Sequence, residues 1–298
     1  MKRLSPGIVY LILASVIYSI MPVLIRVLNA GNIPPVSQVF LRYIFAFLAA
    51  VLYFRHTRSF ISIKKETLLF FLAVSLLGYS GTNLLFTYSM IHTEISRALF
   101  IFYCFTIITP LLGFVFLKER LNKYNTVALV VSFLGLIFLF KPTVGGNWQI
   151  GTLFALGAAF LQSFYLVGRK ILTNYNSETL LLGNTAVGVV SIGILALTLE
   201  KNFYFGQSGI RTMSGETWLL TILFGLLNFS GWFLMTRGFQ LVKTSTGSLV
   251  MLSENIFAVM FALIFFQEVP LAGTIWGGVL ILIAILLVLS KEASKMLS

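Results

Sequence analysis

Glu254 and Asn255 stand side by side in the stretch 247–266, GSLVMLSENIFAVMFALIFF, where Glu254 is the one ionisable side chain. At ~1.5 Å of rise per helical residue, a carboxyl ten residues from the end of such a stretch lies about 15 Å deep, the middle of a ~30 Å hydrocarbon layer. An ionised group at that depth costs about 2.5–3.5 kcal/mol on insertion scales, so it has to be paired or put to use. Glu254 is read as a cavity-facing carboxyl that contacts a bound solute or takes up and releases a proton. The competing reading is a hydrogen-bonded Glu that fastens its helix to a neighbour. Asn255 divides in the same way between ligand contact and interhelical glue.

Other polar residues interrupt apolar runs. Asn83 lies in LLGYSGTNLLF beside Gly78 and Gly81, and Asn228 in LFGLLNFSGWF beside Gly225 and Gly231. Glycine-interrupted segments at matching places in two halves of a membrane chain point to a binding site between the halves, whereas close helix packing is the plainer use of the same residues. Arg42 sits about six residues, ~9 Å, inside its run, where it can hold an anion, pair with a carboxylate or snorkel to the interface. Tyr18, Tyr79, Tyr103, Gln162, Tyr165, Asn184 and Trp232 can complete an amphipathic cavity. With 15% aromatic residues, each ring has lipid contact or core packing as its alternative. Arg26 and Arg97 read as interfacial anchors, Arg237 as part of a basic belt, His92 as solvated in a short loop, and GTIWG (273–277) as a helix-packing face.

Other chemistries lack their parts. The chain has no aspartate, two histidines and one cysteine, Cys104. An intrachain disulfide and a multi-cysteine metal site are thereby excluded, and no cofactor is called for. There is no GxxxxGK[ST] phosphate loop, no GxSxG element and no histidine cluster, which argues against ATP hydrolysis and leaves an intramembrane enzyme as the least favoured alternative. A channel-like facilitator is the other alternative. The net charge of +12 comes from basic residues scattered between apolar runs, a pattern of membrane orientation rather than nucleic-acid binding.

These side chains need helices to hold them in lipid. The chain is 58% hydrophobic and 10% charged, with mean hydropathy +0.96, against roughly 25% charged residues in a soluble domain. Ten apolar spans are expected, at 6–28, 36–54, 67–91, 96–117, 123–140, 150–171, 178–199, 217–240, 244–266 and 270–290. Segments of about ten alternating residues, the mark of a membrane β-barrel, are absent. The first run is too long for a signal peptide and is read as a retained span. With both termini on the cytoplasmic side, all but six of the 21 Lys and Arg residues fall inside; the six are Arg26, Arg42, Arg97, Lys141, Lys201 and Arg211.

The chain also repeats itself. Residues 113–140 (GFVFLKERLNKYNTVALVVSFLGLIFLF) and 262–289 (ALIFFQEVPLAGTIWGGVLILIAILLVL) share an apolar helix, a turn with Glu119 or Glu268, and a second apolar helix. The offset is 149, half the chain, which divides it into units 1–145 and 146–298. Five spans per unit is odd, so the second unit inserts upside down. The expected fold is an all-α polytopic membrane protein of ten transmembrane helices in two inverted five-helix repeats, the arrangement that underlies alternating access.

Together with FLRYIFAFLAA (40–50), KERL (118–121) and SENIFAVMFALIFFQE (253–268), these features make the chain resemble the EamA-type branch of the drug/metabolite transporter superfamily over its whole length. Family members usually carry Glu-Pro or Ser-Pro about thirteen residues before the Glu of the turn. Glu254–Asn255 and Phe105–Thr106 occupy those places here, both prolines are missing, and Pro110 follows one turn later. The break that proline gives is therefore expected to be lost or, in the fourth span, displaced to Pro110. The resemblance implies a secondary transporter in the cell membrane, an exporter of small polar or amphipathic metabolites such as amino-acid-like or nucleobase-like compounds. Its partners would be a small-molecule substrate, the lipid bilayer and, as a coupling candidate, protons carried by Glu254. Oligomeric state is left open.

Overall fold

The computed structural model describes residues 5–57, 61–93, 95–119, 122–140, 150–266 and 272–295. Every described span is helical, as lipid demands, because a helix satisfies its own backbone N–H and C=O groups. α1 (Pro6–Tyr18) and α2 (Met21–Ala30) form the first span, and α3 (Pro35–Thr57) the second. α4 (Lys65–Ala73), a π-helical segment (Val74–Gly81) and α5 (Thr82–His92) make the third. α6 (Ile95–Phe102) with α7 (Phe105–Leu117) make the fourth, and α8 (Lys123–Phe140) the fifth. The second half runs through α9 (Ile150–Ile171) and α10 (Ser177–Leu199), the short α11 (Lys201–Phe205) in a longer connection, and α12 (Gly215–Leu241). It ends with α13 (Thr244–Met251) continued by α14 (Ser253–Phe266), and α15 (Ala272–Lys295). Nine described stretches are long and apolar enough to cross a membrane, and α13 with α14 supply the expected tenth at 244–266. The 145/146 boundary and Glu268 lie outside the described residues.

The packing follows the repeat. α8 lies along α15, α3 along α10, and α7 against α13, each joining a span to its counterpart in the other half. α1 packs on α12 as α9 packs on α5, and α14 on α1 as α7 on α9. The α8–α15 seam is closed by glycine: a Cβ on Gly277 would stand 2.6 Å from the Gly135 carbonyl oxygen and 2.5 Å from the Leu139 nitrogen. The packing face expected from GTIWG therefore meets α8.

Contrary to the expectation that they would be lost or displaced, the breaks that the family's prolines would give are present without proline. The fourth span is interrupted at Tyr103–Cys104 and the ninth at Leu252, positions related by the 149-residue offset. Thr106 Oγ1 donates to the Tyr103 carbonyl at 2.8 Å, and Asn255 Nδ2 donates to the Leu252 carbonyl at 3.2 Å. Each side chain thus stands where the family's proline would stand and bonds a carbonyl three residues back, competing with the helical ladder. The break has not moved to Pro110, which lies within α7. Proline cannot donate to the carbonyl four residues before it, and that carbonyl, of Thr106, accepts from Ser248 Oγ of α13 at 3.4 Å.

Candidate functional site

A cavity of ≈ 60 Å³ lies between the two halves. Its walls are organised by the repeat. Phe102 and Met251, Phe105 and Glu254, Asn83 and Trp232, and Phe86 and Met235 all line it, and each pair is separated by 149 residues. The cavity therefore surrounds the pseudo-twofold axis. Tyr18, Met21, Arg42, Thr82, Gln162 and Asn228 complete the wall. A larger groove, between segments 29–35 and 202–213, carries no charged side chain and lies at the surface by the ends of α2 and α11.

Local irregularities aim these side chains inward. Tyr18 and Met21 flank the break between α1 and α2, where Pro22 starts the new helix. Phe102, Phe105, Met251 and Glu254 flank the breaks of the fourth and ninth spans. Thr82 and Asn83 follow directly on the π-helical segment, a geometry frequent at functional sites.

Two lining residues have a basic or an acidic side chain. Arg42 is 2% exposed and Glu254 6%, and no ion pair joins them. The Arg42 guanidinium sits 4.5 Å from the centre of the Phe224 ring, while its Nε and Nη2 have no hydrogen-bond acceptor. The Tyr18 hydroxyl, Thr82 Oγ1 and Gln162 Oε1 are likewise buried without partners. Such atoms are rare in folded proteins, and several around one cavity mark a place where a solute or water completes the bonding. The Tyr103 phenol is the side-chain partner of Glu254.

Of the residues singled out from sequence, Glu254, Asn83, Asn228, Arg42, Tyr18, Gln162 and Trp232 line the cavity. Tyr79, Tyr103, Tyr165, Asn184 and Asn255 do not, and each is fixed by a neighbour. Tyr79 donates to Asn228 Oδ1 at 3.1 Å and stacks on Tyr43 with centroids 4.9 Å apart. Tyr165 accepts from Asn184 Nδ2 at 3.1 Å, and Asn184 Oδ1 accepts from Ser75 Oγ at 2.8 Å. Asn255 bonds the Leu252 carbonyl, as described. The indole of Trp232 stands edge-on to Tyr79 and Tyr165, 4.5 and 4.6 Å away, so these tyrosines form a second layer behind it. Met21, Thr82, Phe86, Phe102, Phe105, Met235 and Met251 escaped sequence reasoning. Of these, Phe105 was already set opposite Glu254 by the repeat, though not named as a lining residue.

The remaining basic candidates are anchored elsewhere. Arg26 Nη2 donates to the Thr93 carbonyl at 2.6 Å, and Arg237 pairs with Glu178 at 2.5 Å. His92 is exposed, though it is the last residue of α5 and not a loop residue. Arg169, 1% exposed, donates to the Thr236 carbonyl over the Phe239 ring, away from the cavity wall.

The halves are tied at the end of the bundle where α1 begins. Glu119, just past α7, accepts from Thr244 N at 3.1 Å and Thr244 Oγ1 at 2.6 Å, and pairs with Lys170 at 2.7 Å. Burial works against its ionised form, but the bonds from Lys170 and Thr244 outweigh it, and the carboxyl is held below its ordinary 4.5. At the opposite end Glu200 accepts from the backbone N–H groups of Val36 and Ser37 at 2.9 and 2.7 Å, joining α10 to the start of α3.

Known proteins share this architecture. A solved crystal structure superposes with a TM-score of 0.77 over 96% of this chain and 99% of its own, at 14% identity, a likeness of fold. A probable transport protein of Saccharomyces cerevisiae is 24% identical over 74% of this chain and 67% of its own length. The pseudopaline exporter of Pseudomonas aeruginosa is 23% identical over 94% of this chain and 95% of its own length. The sequence description of the EamA-like transporter family matches twice, over residues 5–141 and 149–290, once in each half. A double match of that extent, on a bundle whose two halves pack as counterparts, makes this a multi-pass membrane transporter and not an enzyme: the chain belongs to the EamA-like transporter family.

Proposed function

We propose that this chain exports small polar or amphipathic metabolites, amino-acid-like or nucleobase-like, across the cell membrane by alternating access, with both termini in the cytoplasm. The observation that carries this reading is the cavity on the repeat axis, lined by one arginine, one glutamate and several polar atoms without partners. At ≈ 60 Å³ it is far below the ~300–1,000 Å³ of ligand pockets, so a solute enters only when the halves part. The Glu119 clamp holds one end shut, and rocking of the halves opens the two ends in turn. The exporter reading is supported by similarity along nearly the full length of a protein named as an exporter. Glu254 is the candidate proton carrier, since a carboxyl in this position can load a proton in one orientation and release it in the other.

The test is counterflow into proteoliposomes of purified protein, with labelled amino acids and nucleobases as probes. Saturable uptake stimulated by the same unlabelled solute inside is expected, and Glu254→Gln should lower it at least tenfold without loss of folding. A pH gradient should drive accumulation in the native protein and not in the variant. Flux proportional to concentration without limit would mean a channel, and undiminished flux in the variant would remove Glu254 from the site.

A further inference from the structure

We propose that Arg169 is an anion site outside the central cavity, a docking point for a carboxylate or phosphate group at the end of the bundle where α1 begins. It is shut beneath Phe239 and bared when the Glu119 clamp lets α13 move. This rests on the transport reading above for the movement of the halves, and it assigns a residue that the reading leaves unused.

Arg169 lies two residues before the end of α9, next in the chain to the Lys170 of the clamp. It is 1% exposed, and Nη1 donates to the Thr236 carbonyl at 2.5 Å. Nε and Nη2 have no acceptor among the described residues. Those two N–H groups share one edge of the guanidinium plane, the edge that takes two oxygens of a carboxylate or phosphate side by side. The fold brings no acid to it. The covered carboxylates at this end, Glu119 and Glu178, are taken by Lys170 at 2.7 Å and Arg237 at 2.5 Å. Buried donors without acceptors are costly and rare, so an arginine kept in this state points to an acceptor that comes and goes.

What covers Arg169 is tied to the clamp. The centre of the Phe239 ring lies 4.9 Å from the guanidinium carbon. The same ring rests on Gly247 of α13, where an added Cβ would stand 2.5 Å from Phe239 Cε1. Three residues earlier, Thr244 is held by Glu119 through its N–H and its hydroxyl. Parting α7 from α13 therefore frees the start of α13 and takes the support from Phe239. Inward from Arg169 the polar groups continue. Thr236 Oγ1 is 3.2 Å from the Tyr165 hydroxyl, and the Tyr165 ring meets the Trp232 indole of the cavity wall at 4.6 Å. Arg169 thus stands between the clamp and the cavity, where an anion entering from this end is met first.

The experiment is labelling of arginine by phenylglyoxal in the detergent-solubilised protein, read residue by residue by peptide mass spectrometry. Acetate, inorganic phosphate and chloride are compared at equal ionic strength. Arg169 should react slowly in the native protein and at least about fivefold faster in Glu119→Gln and Thr244→Val, which loosen the clamp. Arg26, bound to the Thr93 carbonyl at the opposite end, should not change. A parallel rise at Arg26 in one variant would mark unfolding, and the other variant and the native protein then decide. Acetate or phosphate should slow the reaction at Arg169 by about twofold or more relative to chloride. Protection by acetate alone assigns a carboxylate, by phosphate alone a phosphate group, and by both an oxyanion of either kind. Equal rates in the three anions would mean an edge satisfied by water only, and unchanged rates in both folded variants would detach the site from the clamp; either result overturns the proposal. Labelling needs no transport, so a protected Arg169 without saturable flux would defeat the transport reading and leave this site standing, and flux with an unprotected Arg169 would do the reverse.

Discussion

The Tyr79 hydroxyl donates to Asn228 Oδ1 at 3.1 Å, and the two residues are 149 positions apart, the offset of the internal repeat. Equivalent residues of the two halves therefore touch each other at the pseudo-twofold axis, directly beside the cavity that Asn228 helps to line. The contact is chemically unequal, a phenol against an amide, as are Phe105 against Glu254 and Asn83 against Trp232. An ancestral symmetry of backbone has become an asymmetric set of side chains.

Tyr79→Phe removes that donor and leaves the Asn228 carbonyl buried. A loss of about 1 kcal/mol is expected, read as a lower melting temperature of the detergent-solubilised protein. Tyr79→Phe with Asn228→Leu should cost less than the two single changes added together, because both partners then go. Strict additivity would show that the bond contributes nothing.

Glu119→Ala should destabilise by roughly 2–3 kcal/mol, since it strands Lys170 and the start of α13. The sign with pH follows from its lowered value. The folded state holds the ionised carboxyl more tightly, so its contribution is complete above the ordinary 4.5 and is lost as pH falls through the lower folded value. Acid unfolding of native protein should show this loss, and Glu119→Ala should flatten it; an unchanged acid profile would contradict the clamp.

Neighbouring glycines of α15 should respond oppositely to alanine. Gly277→Ala drives a Cβ into the Gly135 carbonyl and the Leu139 nitrogen and should cost about 1–3 kcal/mol. Gly278, with nothing within 4 Å of its added Cβ, should change by less than about 0.5 kcal/mol. Equal melting temperatures for the two variants would deny the close seam.

Asn255 acts on the backbone at the break of the ninth span, in the way Thr106 acts in the fourth. Asn255→Thr should therefore keep counterflow within about twofold, whereas Asn255→Leu should lower both flux and melting temperature, by about 1 kcal/mol for the lost bond. Loss of flux in the threonine variant with full stability would instead place Asn255 in the cavity.

Sequence alone determined the fold class, the ten spans and the repeat, for one physical reason. Lipid obliges each crossing to be a helix of fixed length, and an apolar run displays that length directly. The 149-residue offset follows from two Glu-bearing turns, and it already set Glu254 against Phe105. Tertiary structure decided which polar residues share a cavity. Tyr18, Arg42 and Glu254 converge because helices break beside Tyr18 and Glu254 and because α3 is packed against α12, neither of which leaves a signature in composition. The breaks themselves were hidden, since Thr106 and Asn255 replace proline by a side-chain bond that only coordinates reveal. Tyr79, Tyr165 and Asn184 looked like cavity residues because buried polar atoms in a membrane need partners, and the fold supplied those partners from neighbouring helices. For Arg42 Nε and Nη2 the described residues supply no acceptor, because the rotation of packed helices turns that guanidinium to the cavity wall, over the Phe224 ring.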